Sequence, residues 1–138
     1  MTTKEHLQSI YIMSQKIKRL NEIREAIRND LYSLGGISYD RDKVQVSPSG
    51  DRMLKLVARL DEIERDYVKE IDELTERRQK ILNEIDEIPN EKYKLLLIDR
   101  YVLCKKWERI AVERDKDIRW IYRMHGGALD AFERVHNH

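Results

Sequence analysis

The sequence predicts an all-α chain in two parts, a long helical hairpin or coiled coil followed by a C-terminal module of three short helices. Three observations lead there. Apolar residues recur at alternating steps of three and four over two long segments. Gly35, Gly36, Pro48, Gly50 and Pro89 break the chain between segments. The last segment holds short apolar runs, two of them opened by a capping residue, Asn90 and Asp117. At 138 residues, 38% of them charged, the chain cannot bury one large globular core.

The first segment carries Ile10, Met13, Ile17, Leu20, Ile27, Leu31 and Leu34, with Arg24 the one polar member of the series. This is the spacing of a coiled-coil seam. Thr2 and Glu5 form a capping-box start, and Gly35-Gly36 supply a left-handed stop, so helix one is expected from about Thr3 to Leu34. The second segment repeats the pattern through Met53, Val57, Leu60, Glu64, Tyr67, Ile71, Leu74, Arg78, Ile81, Ile85 and Ile88. Asp51 is its expected cap, and Pro89 ends it because the residue before proline is pushed out of the α region.

Neither helix is stable alone, because an isolated seam leaves its apolar stripe in water. The simplest solution is an antiparallel hairpin closed through residues 35–50. Further apolar positions beside the seam, Ile12, Ile23, Leu56 and Leu82, widen the stripe enough for a second protomer. Residues 1–89 are therefore read as a dimerisation region with a four-helix core, the alternative being a surface for a specific partner. The connector 35–50 is long for antiparallel helices, where two to eight residues suffice. Val44, Gln45 and Val46 alternate like a short strand, and the connector reads either as an exposed loop or as a docking element.

Residues 90–138 form the second part. Asn90 is a good N-cap for a short packing helix with Leu96, Leu97, Tyr101 and Val102 in its core. A helix from Trp107 to about Arg114 turns Ile110 and Ala111 inward, Asp115-Lys116 make a tight turn, and Asp117 caps a last helix from Ile118. In that helix Ile121, Met124, Ala128 and Leu129 share one face, and Ile118, Arg119, Tyr122 and Arg123 another. Two helices joined this tightly have the layout of a helix-turn-helix, whose second helix fits a DNA major groove. Arginine grips phosphate or donates twice to a guanine edge, and Tyr122 can reach phosphate or a thymine methyl. Gly126-Gly127 read as the end of this helix, a close backbone approach being the alternative. Trp120 is either a core residue or an exposed anchor.

Charge is divided along the chain. Residues 1–90 carry 16 Lys+Arg against 18 Asp+Glu, a balance of −2, and residues 91–138 carry 11 against 8, a balance of +3. This mild basic bias predicts modest DNA affinity per protomer. The single Cys104 reads as a small apolar filler, and no Cys/His cluster has metal-ligand spacing. His136 and His138 read as tail residues rather than ligands. No signal-peptide core and no run of about 18 apolar residues is present, so the expectation is a protein of the cytoplasm that does not engage membranes. No catalytic motif or phosphate cradle is evident, so neither an enzyme nor a cofactor is expected.

The run LLLIDRYVLCKKWERIAVERDKDIRWIYRMHGGALDAF resembles region 4 of bacterial sigma factors at Arg100-Tyr101, Trp107-Glu108, Ile110-Ala111, Ile121-Tyr122-Arg123, His125 and Ala128-Leu129. The whole chain resembles small phage-encoded transcription regulators of the ArpU/RinA late-gene activator type. The resemblance implies binding to double-stranded promoter DNA as a homodimer, contact with RNA polymerase, and action in the cytoplasm of a bacterial host. Carried over by position, it makes Ile118, Arg119, Tyr122 and Arg123 the groove-facing residues, with Lys105, Lys106, Arg109 and Lys116 near backbone phosphate. The chain departs from the family at Arg114 and Lys116, where apolar residues usually support the turn, which predicts a loosened turn or outward cations. The competing reading is a protein-interaction adaptor whose degenerate helix-turn-helix grips polymerase or another regulator without reading DNA sequence.

Overall fold

The computed structural model of the chain describes residues 1–37 and 47–136. The expected strand at Val44–Val46 and the tail residue His138 lie outside the described residues. The chain is all-α: in order it forms α1 (Thr3–Ile37), α2 (Ser47–Asp86), α3 (Glu91–Leu97), a π-helical segment (Ile98–Val102), α4 (Trp107–Arg114) and α5 (Ile118–His136). No strand occurs among the described residues.

Local chemistry accounts for the helix starts. At the head of α1, the Thr2 amide donates to Glu5 Oε1 at 3.3 Å and the Glu5 amide to Thr2 Oγ1 at 3.1 Å, a reciprocal capping box. The amide bond lowers the Glu5 carboxyl below its ordinary range. Asn90 Oδ1 accepts from the Tyr93 amide at 3.2 Å at the head of α3, and α2 ends at Asp86, just ahead of Pro89.

Three boundaries differ from expectation. The first helix runs through Gly35-Gly36 to Ile37, because no described glycine adopts the positive φ that a left-handed stop needs. Two glycines cost only about 1 kcal/mol each in an established helix. The second helix starts a turn early, at Ser47 rather than Asp51, with Pro48 in the first turn, where a missing N–H costs nothing. The last helix passes through Gly126-Gly127 and continues to His136.

Packing divides the chain into two compact units, Gln15–Asp72 and Met1–Ser14 with Glu73–His138. In the first, Lys16 meets Glu70 at 2.8 Å, Arg28 meets Glu64 at 2.8 Å, and the Arg24 guanidinium lies 4.2 Å from the centre of the Tyr67 ring. Rising numbers on α1 meet falling numbers on α2, so the two run antiparallel. Ile27, Leu34 and Ile63 are buried in this unit.

The inward face of α2 is largely the expected one, with Leu74, Ile81, Ile85 and Ile88 buried and Met53, Leu60, Glu64 and Tyr67 half-buried, but it departs at two apolar positions. Val57 is 50% exposed and Ile71 37%, while Leu56 and Ile63 turn inward and Glu70 is buried. At these two positions the preceding residue takes the inward place, and at the second Lys16 neutralises Glu70 and so lets a carboxylate occupy the seam. Leu54, Val57 and Val68 stay exposed on one side of α2.

The second unit joins the first turns of α1 and the last turns of α2 to the C-terminal helices, a division different from a boundary at residue 89. Leu7, Ile10, Ile81, Ile85 and Ile88 are buried in it together with Leu96, Leu97, Ile110, Ile121, Ala128 and Phe132. Polar groups lock the rim. His6 Nε2 lies 2.7 Å from Glu84 Oε1, Arg77 donates to Ser9 Oγ at 3.1 Å, and His136 Nε2 donates to the Glu84 carbonyl at 2.8 Å. The Phe132 ring lies between those of His6 and His136, 6.2 and 4.5 Å away between centroids. His136 thus has a structural place rather than that of a frayed tail residue.

The two glycines of α5 have different surroundings. A Cβ on Gly127 would stand 2.5 Å from the Tyr93 hydroxyl and 2.9 Å from its Cζ, whereas one on Gly126 would meet nothing within 4 Å. Gly127 therefore lets α3 approach α5 closely. We expect Gly126→Ala to stabilise the fold by about 0.5–1 kcal/mol through helix propensity, and Gly127→Ala to destabilise it by about 1–3 kcal/mol through overpacking. Urea unfolding of both variants measures this, and adding Tyr93→Leu should recover most of the loss in Gly127→Ala.

Candidate nucleic-acid interface

Helices α4 and α5 are joined by three residues whose geometry is set locally. Asp115 takes the left-handed conformation (φ 53°, ψ 49°), which closes α4 by directing its N–H to the carbonyls of Ala111 and Val112. Asp and Asn tolerate this region better than other non-glycine residues. The Lys116 amide then returns to the Ala111 carbonyl at 3.0 Å, and Asp117 Oδ1 accepts from the Arg119 amide at 2.8 Å, capping α5 as its position suggested. Ile110 and Ala111 of α4 and Ile121 and Ala128 of α5 are buried.

Ahead of them, the π-helical segment widens the chain by one residue per turn, with the Leu103 amide bonded to the Ile98 carbonyl at 2.9 Å. Both Tyr101 and Val102 are thereby buried, and Asp99 is placed beside α4. Asp99 takes Lys105 on one oxygen at 3.2 Å and Arg114 on the other at 3.1 Å. Glu113 takes Lys105 at 2.8 Å and Arg109 at 3.1 Å. Arg114 therefore neither loosens the turn nor faces outward; it reaches back to the preceding segment.

The eight residues expected to meet DNA separate by surroundings. Lys105 has only 16% of its side chain exposed and is held by two carboxylates, which raise its pKa and lower that of Glu113. Arg109 is exposed but paired with Glu113. Lys106 is exposed at the head of α4, with no carboxylate partner among the described residues. Lys116 lies 5.0 Å from the centre of the Trp120 ring, so Trp120 is a half-buried residue covered by a cation. On α5, Ile118 is half-buried against the unit, whereas Arg119, Tyr122 and Arg123 share one exposed face. Arg119 has 85% of its side chain exposed and approaches Asp117 only at 3.7 Å. Gly126 lies on the same face one turn later, where the lack of a side chain leaves open space. Asp130 and Glu133 follow it, so the basic character of this face is confined to the first two turns.

An aromatic cluster holds α5 in place. The Trp107 ring stands edge-on to Tyr122 at 5.6 Å and to His125 at 4.6 Å, and the Arg100 guanidinium lies 4.5 Å from its centre. The Tyr101 hydroxyl and His125 Nε2 share a hydrogen bond at 2.7 Å. Burial pushes Tyr101 up to about 12, so it keeps its proton. Burial, with Lys4 and Arg100 nearby, pushes His125 from 6.5 down to about 4, so the ring is neutral at pH 7.

The depressed His125 value has a consequence for stability. Between pH 6.5 and about 4 the unfolded chain binds a proton that the folded chain refuses, so stability is complete above 6.5 and falls as pH drops through that interval. Relative to a His125→Phe variant, the native chain should lose about 1–2 kcal/mol between pH 7 and pH 4, the effect being damped by partial solvation of the ring. Chemical denaturation at several pH values measures it; a constant difference between the two proteins would contradict a buried neutral imidazole.

Comparison of the chain with protein-family models, with curated proteins and with solved structures gives no match.

Proposed function

We propose that the chain is a DNA-binding transcription regulator of bacteriophage type, in which α4 and α5 act as a helix-turn-helix and α5 enters the major groove of promoter DNA. The observation that supports this best is the exposed triad Arg119, Tyr122 and Arg123 at the capped start of a helix whose opposite face is buried. Recognition helices read bases with their N-terminal residues, and an arginine there can donate two hydrogen bonds to guanine. Gly126 supports the same reading, since it removes bulk where a sugar-phosphate strand would pass. With Lys105 and Arg114 held by carboxylates inside the unit and the exposed Arg109 paired with Glu113, the phosphate contacts fall to Lys106, Lys116 and the α5 arginines. Few phosphate contacts mean a shallow salt dependence. We expect a gel shift with cognate DNA to weaken about tenfold or more in Arg119→Ala/Arg123→Ala, while Lys105→Ala lowers the unfolding midpoint and changes affinity little. Genome-wide mapping of bound sites supplies the cognate sequence, and a map without peaks would remove this reading.

The regulator works as a homodimer in this proposal, because one short recognition helix with a modest cation set gains affinity when two half-sites are read together. Leu54, Val57 and Val68 supply an apolar face for the second copy. Sedimentation equilibrium should give a dimer for the native chain and a monomer for Val57→Glu/Val68→Glu, with helical content retained.

The adaptor reading is favoured by a different observation. Val112, on the outer side of α4, is 79% exposed, which suits a protein contact, with polymerase or another regulator as the partner. Absence of any DNA shift at low salt, with binding to such a partner that salt leaves unchanged, selects this alternative.

A further inference from the structure

A cavity of about 540 Å³ opens between the first turns of α1 and the π-helical segment. That volume falls within the range of small-molecule sites. Its walls combine two features seldom found together on this charged surface. Tyr11 and Ile12 of α1 present large apolar side chains, 52% and 62% exposed, beside the buried ring of Tyr101. Arg100 and Lys106 line it as well, and no acidic side chain does.

The charge pattern is the informative part. Three cations near the cavity are answered by carboxylates, Lys105 and Arg114 by Asp99 and Arg109 by Glu113. Arg100 and Lys106 have no carboxylate partner among the described residues. Arg100 is held in place by donating to the Lys105 carbonyl at 3.0 Å and by stacking on Trp107. The positive field extends past the cavity, since Arg100 with Lys4 acts on His125 and Arg100 with Arg78 acts on Cys104. Burial pushes the Cys104 thiol up, so this wall residue stays neutral and adds no negative charge. An apolar recess with two unanswered cations is complementary to an organic anion.

We propose that this cavity binds a small aromatic carboxylate, its ring against Tyr11, Ile12 and Tyr101 and its carboxylate against Arg100 and Lys106. The proposal goes beyond DNA binding and does not need it. Arg100 stacks on Trp107, and Trp107 touches Tyr122 of α5, so an occupant is felt along that line.

The test is titration of the full chain with 2-naphthoate, followed by the Trp107 indole N–H and the Lys106 amide in NMR spectra. Saturable shifts at both, with a Kd below about 1 mM, are expected. The two cavity substitutions Ile12→Asp and Lys106→Glu should each weaken binding about tenfold or more, and Lys55→Glu, an exposed change on α2, should leave it unchanged. Neutral 2-naphthalenemethanol should bind about tenfold more weakly than the carboxylate, and inorganic phosphate should not displace it at equal concentration. The proposal is overturned by no saturation up to about 10 mM, by shifts confined to other residues, by unchanged binding in both cavity variants, by equal binding of the alcohol, or by displacement with phosphate. None of these readouts involves DNA, so failure here and failure of the regulator reading are distinguishable.

Discussion

Asp99 ties both ends of α4 to the segment that precedes it. One carboxylate oxygen holds Lys105, just before the helix, and the other holds Arg114, its last residue. The three side chains are each about one-fifth exposed or less, so the pairs are shielded enough to matter more than the exposed ion pairs along α1 and α2. The constraint depends on the π-helical segment, whose extra residue swings Asp99 towards α4 while Tyr101 and Val102 turn into the core. With α4 anchored at both ends, the Asp115 turn and the Asp117 cap set the direction of α5.

A second layer transmits that placement to the exposed face. Trp107, at the start of α4, receives Arg100 on its ring and touches Tyr122 and His125 with its edges. A neutral His125 hydrogen-bonded to a protonated Tyr101 adds no charge to this cluster at neutral pH. Tyr122 is thus both a member of the packed layer and part of the surface offered to a partner, and substitution there would mix the two roles. Arg119 and Arg123, outside the cluster, separate them.

Much of this was legible in sequence. The caps Thr2, Asn90 and Asp117 were readable because each bonds an amide two or three residues away. The buried positions Leu96, Leu97, Tyr101, Val102, Ile110, Ala111 and Ile121 were readable because short runs between caps leave little choice of face. Phe132 was missed, since a helix expected to stop at Gly126-Gly127 never reaches it, and so was the open surface at Gly126. The apolar pattern of α2 misled only locally, at Val57 and Ile71; Ile71 looks better suited to a seam than Glu70 until Lys16 stands opposite.

The sequence by itself determined the all-α class, where α1, α3 and α5 begin after their caps, and which short apolar runs form the core of the C-terminal module. These depend on hydrogen bonds and periodicities that span a turn or two of chain. Only the tertiary structure decided that Glu70 rather than Ile71 turns inward on α2, whether α5 runs through its glycines, and which cations stay available at the surface. Those outcomes depend on partners distant in sequence: Lys16 for Glu70, Tyr93 for Gly127, Asp99 for Arg114. A charged residue's role follows from whether an opposite charge is brought within about 3 Å of it, and local sequence carries no record of that meeting.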